Sequence, residues 1–280
     1  MKNISKKILY KLSNAHRKYD TLKLLIDWSI SDIYIVSYPK SGVTWLCLIL
    51  ANIINLKRKS NDRVDFYNVH DFIPDLHANP QQIQNINQPR IIKTHEFFKE
   101  WQHRINIKGN GFMYPRVIHM VRDGRDSMAS FFRYTNALSK NQINIEDFLG
   151  EKIKSKRCWS SHTKNWSGND CLDKRKLFTI KYENMKINPF SEIKKLVDFI
   201  GFNIENEIIK KAIKLSDIEN IKNLESKYGS EVQYQDKKYM FAGKGLTGEF
   251  DNDIKSSIEN YFLQSKDVFE KLNYFEKGEV

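Results

Sequence analysis

A polar turn joins two apolar runs near the start of the chain. The turn, SYPKSGVTWL, covers residues 37–46. The run before it, Ile33 to Ser37, predicts a buried strand, and the run from Trp45 to Leu56 is apolar almost all round, which predicts an enclosed helix. A strand, a tight turn and a buried helix in this order indicate the start of an α/β unit.

This turn has the composition of an anion-binding site. The first N–H groups of a helix lack partners and lie at the positive end of its dipole, so they attract anions. Gly42 allows a close backbone approach, Lys40 adds a full charge, and Ser41 and Thr44 add hydroxyl groups. A Walker loop places its lysine after the last glycine, whereas Lys40 precedes Gly42. The residues therefore predict a phosphate-binding corner of another kind, with a simple capped turn as the alternative.

Strand and helix patterns alternate along the rest of the chain. Three further strands are predicted at Arg90–Thr94, Arg116–Arg122 and Leu177–Tyr182, and a later helical pattern stops at Gly201, as at a C′ glycine. The alternation predicts a single domain, residues 1–280, with an α/β fold: a mostly parallel central sheet and helices on both faces. Ligands of such sheets bind at the carboxyl ends of the strands, where the polar clusters of this sequence fall.

The segments between these elements are polar. Residues 61–89, 99–112 and 133–170 predict irregular or weakly helical stretches that line a substrate entrance, and residues 222–250 predict a long loop with a glycine-rich end. Residues 1–30 predict a basic helical segment, which either packs on the body of the protein or touches anionic lipid.

Several of these motifs resemble one family. YPKSGVTW resembles the 5′-phosphosulfate loop of sulfotransferases that use 3′-phosphoadenosine 5′-phosphosulfate (PAPS), whose usual form has threonine where this chain has Val43. The resemblance implies a P-loop NTPase-like sulfotransferase fold, with the donor held by the residues of this turn. It also places Trp45 against the adenine, with packing in the core as the alternative.

Two strand-end motifs extend the resemblance. VIHMVRDGRDSMAS is similar to the segment that binds the 3′-phosphate, which implies that role for Arg122 and Ser130. A guanidinium at a strand end suits a phosphate because it donates two parallel hydrogen bonds. IIKTH resembles the catalytic strand end, which implies that His95 is the general base and that Lys93 lies beside the sulfuryl group. WSSHTKNW keeps the spacing of another family motif, although its aromatic residues fit a core equally well.

The later motifs match the family less closely. IKYENMKINP is similar to a strand end near the nucleotide and makes Tyr182 a candidate adenine neighbour, and LSDIENI is a weaker match that points to Ser216. GKGLTGEF resembles the segment over the 3′-phosphate and implies that role for Lys244 and Gly245. In that segment glycine replaces the usual arginine and phenylalanine the usual tryptophan, which implies a weaker clamp.

The resemblance implies an enzyme that moves a sulfuryl group from PAPS, its co-substrate, to a hydroxyl or amine of a small-molecule or carbohydrate acceptor by in-line transfer. Lys40 suits the leaving oxygen and Lys93 the other sulfuryl oxygens, and no metal is expected. A nucleotide or small-molecule kinase is the nearest alternative, but a Walker lysine and a magnesium ligand are not evident in the sequence.

Charge and cysteine content bear on partners and compartment. The net charge of +12 attracts anions and leaves a nucleic-acid-binding protein as a second alternative, but the lysines are spread evenly and no nucleic-acid-binding motif is present, so no nucleic-acid partner is expected. Three scattered cysteines suit a reducing compartment, and no signal peptide or spanning run is recognisable, so a cytoplasmic protein is expected. The sequence leaves the oligomeric state open.

Overall fold

A computed structural model describes most of the chain: residues 28–60, 62–78, 80–105, 114–170, 172–230, 234–243, 245, 247–248, 252–263, 266–272 and 274. Residues 1–27, which hold most of the predicted basic segment, lie outside the described residues, and so does Lys244.

The described strands form one parallel sheet in the order β2-β1-β3-β4. Their bounds are β1 (Ile33–Ser37), β2 (Ile91–Thr94), β3 (Arg116–Val121) and β4 (Leu177–Lys181). All four predicted strands are therefore confirmed to within one residue at each end. The chain passes from β1 to β2 on one side and then crosses β1 to reach β3 on the other side. The strand order therefore reverses between β1 and β3, and such a reversal opens a crevice at the carboxyl ends of these two strands.

Helices connect and cover the strands. They are α1 (Val43–Lys57), α2 (Val69–Phe72), α3 (Phe98–Ile105), α4 (Gly124–Leu138), α5 (Ile145–Lys154), α6 (Trp159–Ser167), α7 (Tyr182–Ile187), α8 (Pro189–Ile200), α9 (Asn206–Leu215), α10 (Ile218–Tyr228), α11 (Asn252–Phe262) and α12 (Lys266–Lys271). Helix α8 ends at Gly201, whose φ of 76° is the left-handed conformation expected of a C′ glycine.

The predicted loop at residues 222–250 is wrong over its first seven residues, which belong to α10. The Asp217 side chain caps this helix by accepting a hydrogen bond from the Asn220 backbone N–H. Ile221 and Glu225, one turn apart, are both buried. The sequence did not predict this helix, because one of its two buried residues is a glutamate.

Apolar side chains pack on both faces of the sheet, as the alternation of side chains along β1 requires. Ile33 and Ile35 belong to a core that includes residues of α1, α8 and α9, whereas Tyr34 and Val36 belong to a second core with Trp101 of α3 and Trp166 of α6. The predicted α/β architecture with helices on both faces is confirmed.

The register of the sheet brings the strand ends together. Paired positions near the carboxyl edge are Val36 with Thr94, Ser37 with Met120, and Val121 with Lys181. The turn after β1, His95 after β2, Arg122 after β3 and Tyr182 after β4 therefore all follow the same edge of the sheet.

Candidate active site

A cavity of about 1130 Å³ opens at this carboxyl edge. Eleven of the residues implicated by the sequence motifs line it: Lys40, Gly42, Val43, Thr44, Trp45, Lys93, His95, Arg122, Ser130, Tyr182 and Gly245. The fold thus brings residues from five distant motifs to one concave site, and four of these motifs follow the predicted strands.

Ser41 and Ser216 do not line the cavity, because other residues of the protein enclose their side chains. The Ser41 hydroxyl is fully buried and lies 3.4 Å from that of Ser127. Ser216 is buried behind Trp45: its carbonyl accepts the indole N–H at 2.8 Å, and its hydroxyl accepts a hydrogen bond from Asn52 at 3.0 Å. Ser216 therefore orients Trp45, which does line the cavity.

The turn after β1 leaves the N-terminus of α1 open to an anion. Gly42 is the N-cap residue, with a φ of 88°, and among the described residues no side chain caps the helix and its first turn contains no acidic residue. A Cβ atom at Gly42 would lie 2.5 Å from the ring of Tyr182, so only glycine fits. The first N–H groups of α1 and the helix dipole therefore remain available to a ligand.

Lys40, two residues before Gly42, brings an ammonium group to the same cavity. Its Nζ atom is shielded from solvent and has no hydrogen-bond partner among the described residues. It lies 3.6 Å from the ring centre of Phe241 and 4.6 Å from that of Tyr134. Burial, followed by the charge of Arg122, lowers the pKa of Lys40 to about 7. A buried cation without a hydrogen bond is costly, so an anion at this position would stabilise it.

Arg122 directly follows β3 and contacts the turn after β1. Its Nη1 atom donates to the Lys40 carbonyl at 3.4 Å, its Nη2 atom lies 3.5 Å from the Asp126 carboxylate, and its guanidinium stacks 4.6 Å above the ring centre of Tyr182. These contacts fix the guanidinium at the cavity wall, where Ser130 of α4 also lies.

The glycine-rich segment is attached at the same place. The Gly248 N–H donates to Asp126 at 3.0 Å, and the Tyr182 hydroxyl donates to the Gly245 carbonyl at 3.4 Å. Gly245 and Gly248 are therefore held close to Asp126 and Tyr182, which both contact Arg122, and this is where the motif resemblance predicted a phosphate clamp.

His95 follows β2 and lines the cavity. Its Nδ1 atom is 2.8 Å from the Ser37 carbonyl oxygen. A carbonyl only accepts, so Nδ1 carries the proton and the Nε2 lone pair is the basic one. Burial, and then the charge of Lys93, lower the pKa of His95 to about 4, which keeps the imidazole neutral at pH 7.

Comparisons with known proteins agree with this geometry. A family model described as "Sulfotransferase domain" matches residues 31–272. The chain belongs to the sulfotransferase family. The predicted family, fold and enzyme class are thereby confirmed, and the family assignment supersedes the kinase and nucleic-acid-binding alternatives.

Individual relatives of this sulfotransferase are distant but cover most of its length. Cytosolic sulfotransferase 7 of Arabidopsis thaliana is 24% identical, over 82% of this chain and 76% of its own. Flavonol 3-sulfotransferase of Flaveria bidentis is 26% identical, over 79% of this chain and 76% of its own. The mouse sulfotransferase SULT7A1, solved in complex with PAP, has a similar fold: the TM-score is 0.64 at 17% identity, over 92% of this chain and 93% of that one.

Two tryptophans of the sulfotransferase's WSSHTKNW motif support the site from behind. Both are fully buried. The indole N–H of Trp159 donates to the Arg122 carbonyl at 3.0 Å, and that of Trp166 donates to the Glu96 carbonyl at 2.9 Å. Helix α6 thereby fixes the chain just after β3 and just after His95.

Sequence reasoning missed several residues of this site. Asp75 forms an ion pair with Lys93 at 2.7 Å, and Phe241 and Tyr134 enclose the Lys40 ammonium. Only Asp126 left a signal, since it lies four residues after Arg122 at the start of a helix, a spacing that permits contact. The other three are distant in sequence from their partners.

Among the residues that the structure describes, no helix is both long and apolar enough to cross a bilayer.

Proposed function

We propose that this sulfotransferase moves the sulfuryl group of PAPS to a hydroxyl group of a small-molecule acceptor, with His95 as the general base. The observation that carries the proposal is a buried Lys40 ammonium, without a hydrogen-bond partner among the described residues, in the same cavity as the uncapped N-terminus of α1. This pair of features suits the doubly anionic phosphosulfate of the donor.

The other cavity residues fit the rest of the donor. Arg122 and Ser130 would hold the 3′-phosphate, and Gly245 lines the same cavity. Trp45 and Tyr182, whose rings meet edge to face at 5.7 Å, would bind the adenine. The donor, when bound, supplies a sulfuryl group whose leaving group is the 5′-phosphate. PAP in the mouse relative is this donor without its sulfuryl group, which supports the proposal.

The chain's own groups perform the proton transfer and the charge stabilisation. His95 Nε2 takes the acceptor's hydroxyl proton as the acceptor oxygen forms its bond to sulfur. The bond between sulfur and the bridging oxygen breaks, and its electron pair goes to the phosphate. Lys40 and the N–H groups of α1 stabilise the charge that develops there, and Lys93 stabilises the sulfuryl oxygens. Removing one such group typically costs about 10²- to 10³-fold in rate.

Aromatic side chains also line the cavity. Among them are Phe66, Phe131 and Tyr134, and polar groups such as His70 and Asp75 belong to the same lining. We therefore propose an acceptor with a ring system and a hydroxyl, rather than a carbohydrate, and the flavonol-sulfating relative supports this choice. The relative named as cytosolic supports a cytoplasmic location.

The proposal is tested by incubating the protein with ³⁵S-labelled PAPS and a panel of phenols, steroids, amines and sugars, and by detecting a product heavier by one SO₃ group. His95→Ala is expected to abolish transfer while PAP binding, measured by calorimetry, is retained. His103→Ala, at an exposed position of α3, is the control. Transfer by His95→Ala at the wild-type rate would refute the assignment of the base, and transfer by the wild type to none of the panel would refute the activity.

A further inference from the structure

Asp75 is attached to the catalytic edge of the sheet through the backbone of its two chain neighbours. The Lys93 N–H donates to the Pro74 carbonyl at 2.9 Å, and the Leu76 N–H donates to the Lys93 carbonyl at 2.9 Å. Asp75 thereby pairs with Lys93 as a short extension of the sheet beyond β2. Both side chains line the cavity together with His95.

The Asp75 carboxylate is held from both sides. Its Oδ1 atom accepts the N–H groups of His77 at 2.8 Å and Ala78 at 3.1 Å, and its Oδ2 atom lies 2.7 Å from the Lys93 ammonium. The Asp75 side chain is 7% exposed and that of Lys93 is 12% exposed. Burial by itself raises the pKa of Asp75, but Lys93 and then His95 lower it well below its usual range, so the carboxylate is ionised.

We propose that Asp75 is a positioning residue that fixes the Lys93 ammonium beside His95 for sulfuryl transfer, an inference that rests on the proposed function. A lysine side chain has four rotatable bonds, and in an open cavity its ammonium would sample many positions. The carboxylate restricts the ammonium to one place, and the carboxylate is itself fixed by a backbone turn. A rigid support of this kind is what transition-state stabilisation requires of a charged group.

The test compares Asp75→Asn and Asp75→Glu with the wild type. Asp75→Asn keeps both turn hydrogen bonds through its side-chain oxygen and removes the charge. We expect kcat to fall by about 10- to 100-fold, the loss typical of a catalytic group displaced by about 1 Å, with PAP affinity unchanged. Asp75→Glu restores the charge and is expected to recover part of kcat.

A pH profile separates positioning from a merely structural role. Lys93 lowers the pKa of His95 more than Asp75 raises it, so a variant whose Lys93 ammonium leaves this place has a higher His95 pKa. The acid limb of the kcat/KM profile, where His95 becomes protonated, is therefore expected to move to higher pH in Asp75→Asn. An unchanged kcat, or a loss of kcat without this movement and without recovery by Asp75→Glu, would overturn the proposal.

Asp65 provides a matched control. Its Oδ1 atom accepts the N–H groups of Tyr67 at 2.9 Å and Asn68 at 3.3 Å, and its Oδ2 atom accepts from Arg63 at 2.7 Å, the same arrangement as at Asp75. Asp65 does not line the cavity. Asp65→Asn is therefore expected to leave kcat and its pH profile unchanged.

One measurement tests the proposal without any transfer reaction. Acetic anhydride acylates neutral amines, and mass spectrometry reports the extent at each lysine. Lys93 is expected to react faster in Asp75→Asn than in the wild type, because its charged form has lost a carboxylate partner. Equal reactivity of Lys93 in the two proteins would show that Asp75 does not hold the Lys93 ammonium, and would overturn the proposal. A wild type that transfers to no acceptor would instead refute the proposed function, so the two failures are distinguishable.

Discussion

Lys40 is the residue on which donor binding most depends. The backbone at Lys40 has a φ of 66°, a left-handed conformation, and its ammonium contacts two aromatic rings. Lysine tolerates this conformation at some cost, so the turn holds it there against its preference. Because the pKa of Lys40 is about 7, the ammonium is partly deprotonated near neutral pH until an anion stabilises its charge.

PAP binding is accordingly expected to take up a proton above pH 7. The affinity should fall as pH rises from about 7 to 9, by at most tenfold per pH unit, which is the limit for one proton. Isothermal titration calorimetry in buffers of different ionisation enthalpy measures the uptake directly. Lys40→Arg, whose guanidinium stays charged, should bind PAP without this uptake. The same uptake in Lys40→Arg would assign the proton to another group.

Gly42 is the second residue whose identity the structure dictates. Gly42→Ala introduces a Cβ atom 2.5 Å from the Tyr182 ring at a φ of 88°, so either the ring or the turn must move. We expect about 1–3 kcal/mol of destabilisation, as for other strained backbone positions, and weaker PAP binding.

Gly150→Ala is the control for this substitution. Nothing lies within 4 Å of a Cβ atom at Gly150, which is inside helix α5. That change is expected to stabilise the protein by about 0.5–1 kcal/mol, as alanine does in a helix. Urea unfolding monitored by circular dichroism measures both changes. Equal effects of the two substitutions would show that the turn has room for a side chain.

At the scale of elements, the strand ends define the site and α6 supports two of them. Trp159 braces the chain after β3, where Arg122 begins the donor side of the cavity, and Trp166 braces the chain after His95. Trp159 therefore supports donor binding, whereas Trp166 supports the general base.

Substituting each tryptophan should separate these roles. Trp159→Phe loses the hydrogen bond at Arg122 and is expected to weaken PAP binding with little change in kcat. Trp166→Phe loses the one beside His95 and is expected to lower kcat by up to about 10²-fold, since small displacements of catalytic groups are costly, with PAP affinity unchanged. Steady-state kinetics and calorimetry distinguish the two. Identical profiles for both variants would contradict separate roles.

The strands and the position of the site were predictable because local patterns encode them. Four short apolar runs predicted the sheet, and each was followed by a polar motif, so parallel strands had to bring those motifs to one edge. The contacts of Asp75 and Phe241 were not predictable, because they join segments distant in sequence. The burial of the Ser41 and Ser216 hydroxyls was also not predictable from the sequence, because a hydroxyl group binds a ligand or forms an internal hydrogen bond equally well.

At the scale of the whole molecule, burial of neutral histidines makes the fold sensitive to acid. His119 of β3 is fully buried, neither of its ring nitrogens has a hydrogen-bond partner among the described residues, and burial lowers its pKa to about 3. The unfolded chain binds a proton at His119 below about pH 6.5, the folded chain only near pH 3. The unfolded state therefore holds more protons in this window, and stability falls as pH falls.

His119 alone is expected to remove about 1.4 kcal/mol of unfolding free energy per pH unit below about pH 6.5. Urea unfolding at a series of pH values from 7 to 5 measures this slope. His119→Phe, which keeps a flat ring, should reduce the slope by that amount, whereas His103→Phe at an exposed position should not. Equal slopes for the wild type and His119→Phe would show that His119 is protonated in the folded protein.

A crystal structure of the protein with PAP most directly tests whether the corner between β1 and α1 is the donor site. We expect the 5′-phosphate within hydrogen-bond distance of the first N–H groups of α1 and of the Lys40 ammonium, with the 3′-phosphate beside Arg122. A 5′-phosphate bound elsewhere in the cavity, or a corner that holds no nucleotide at saturating PAP, would contradict this.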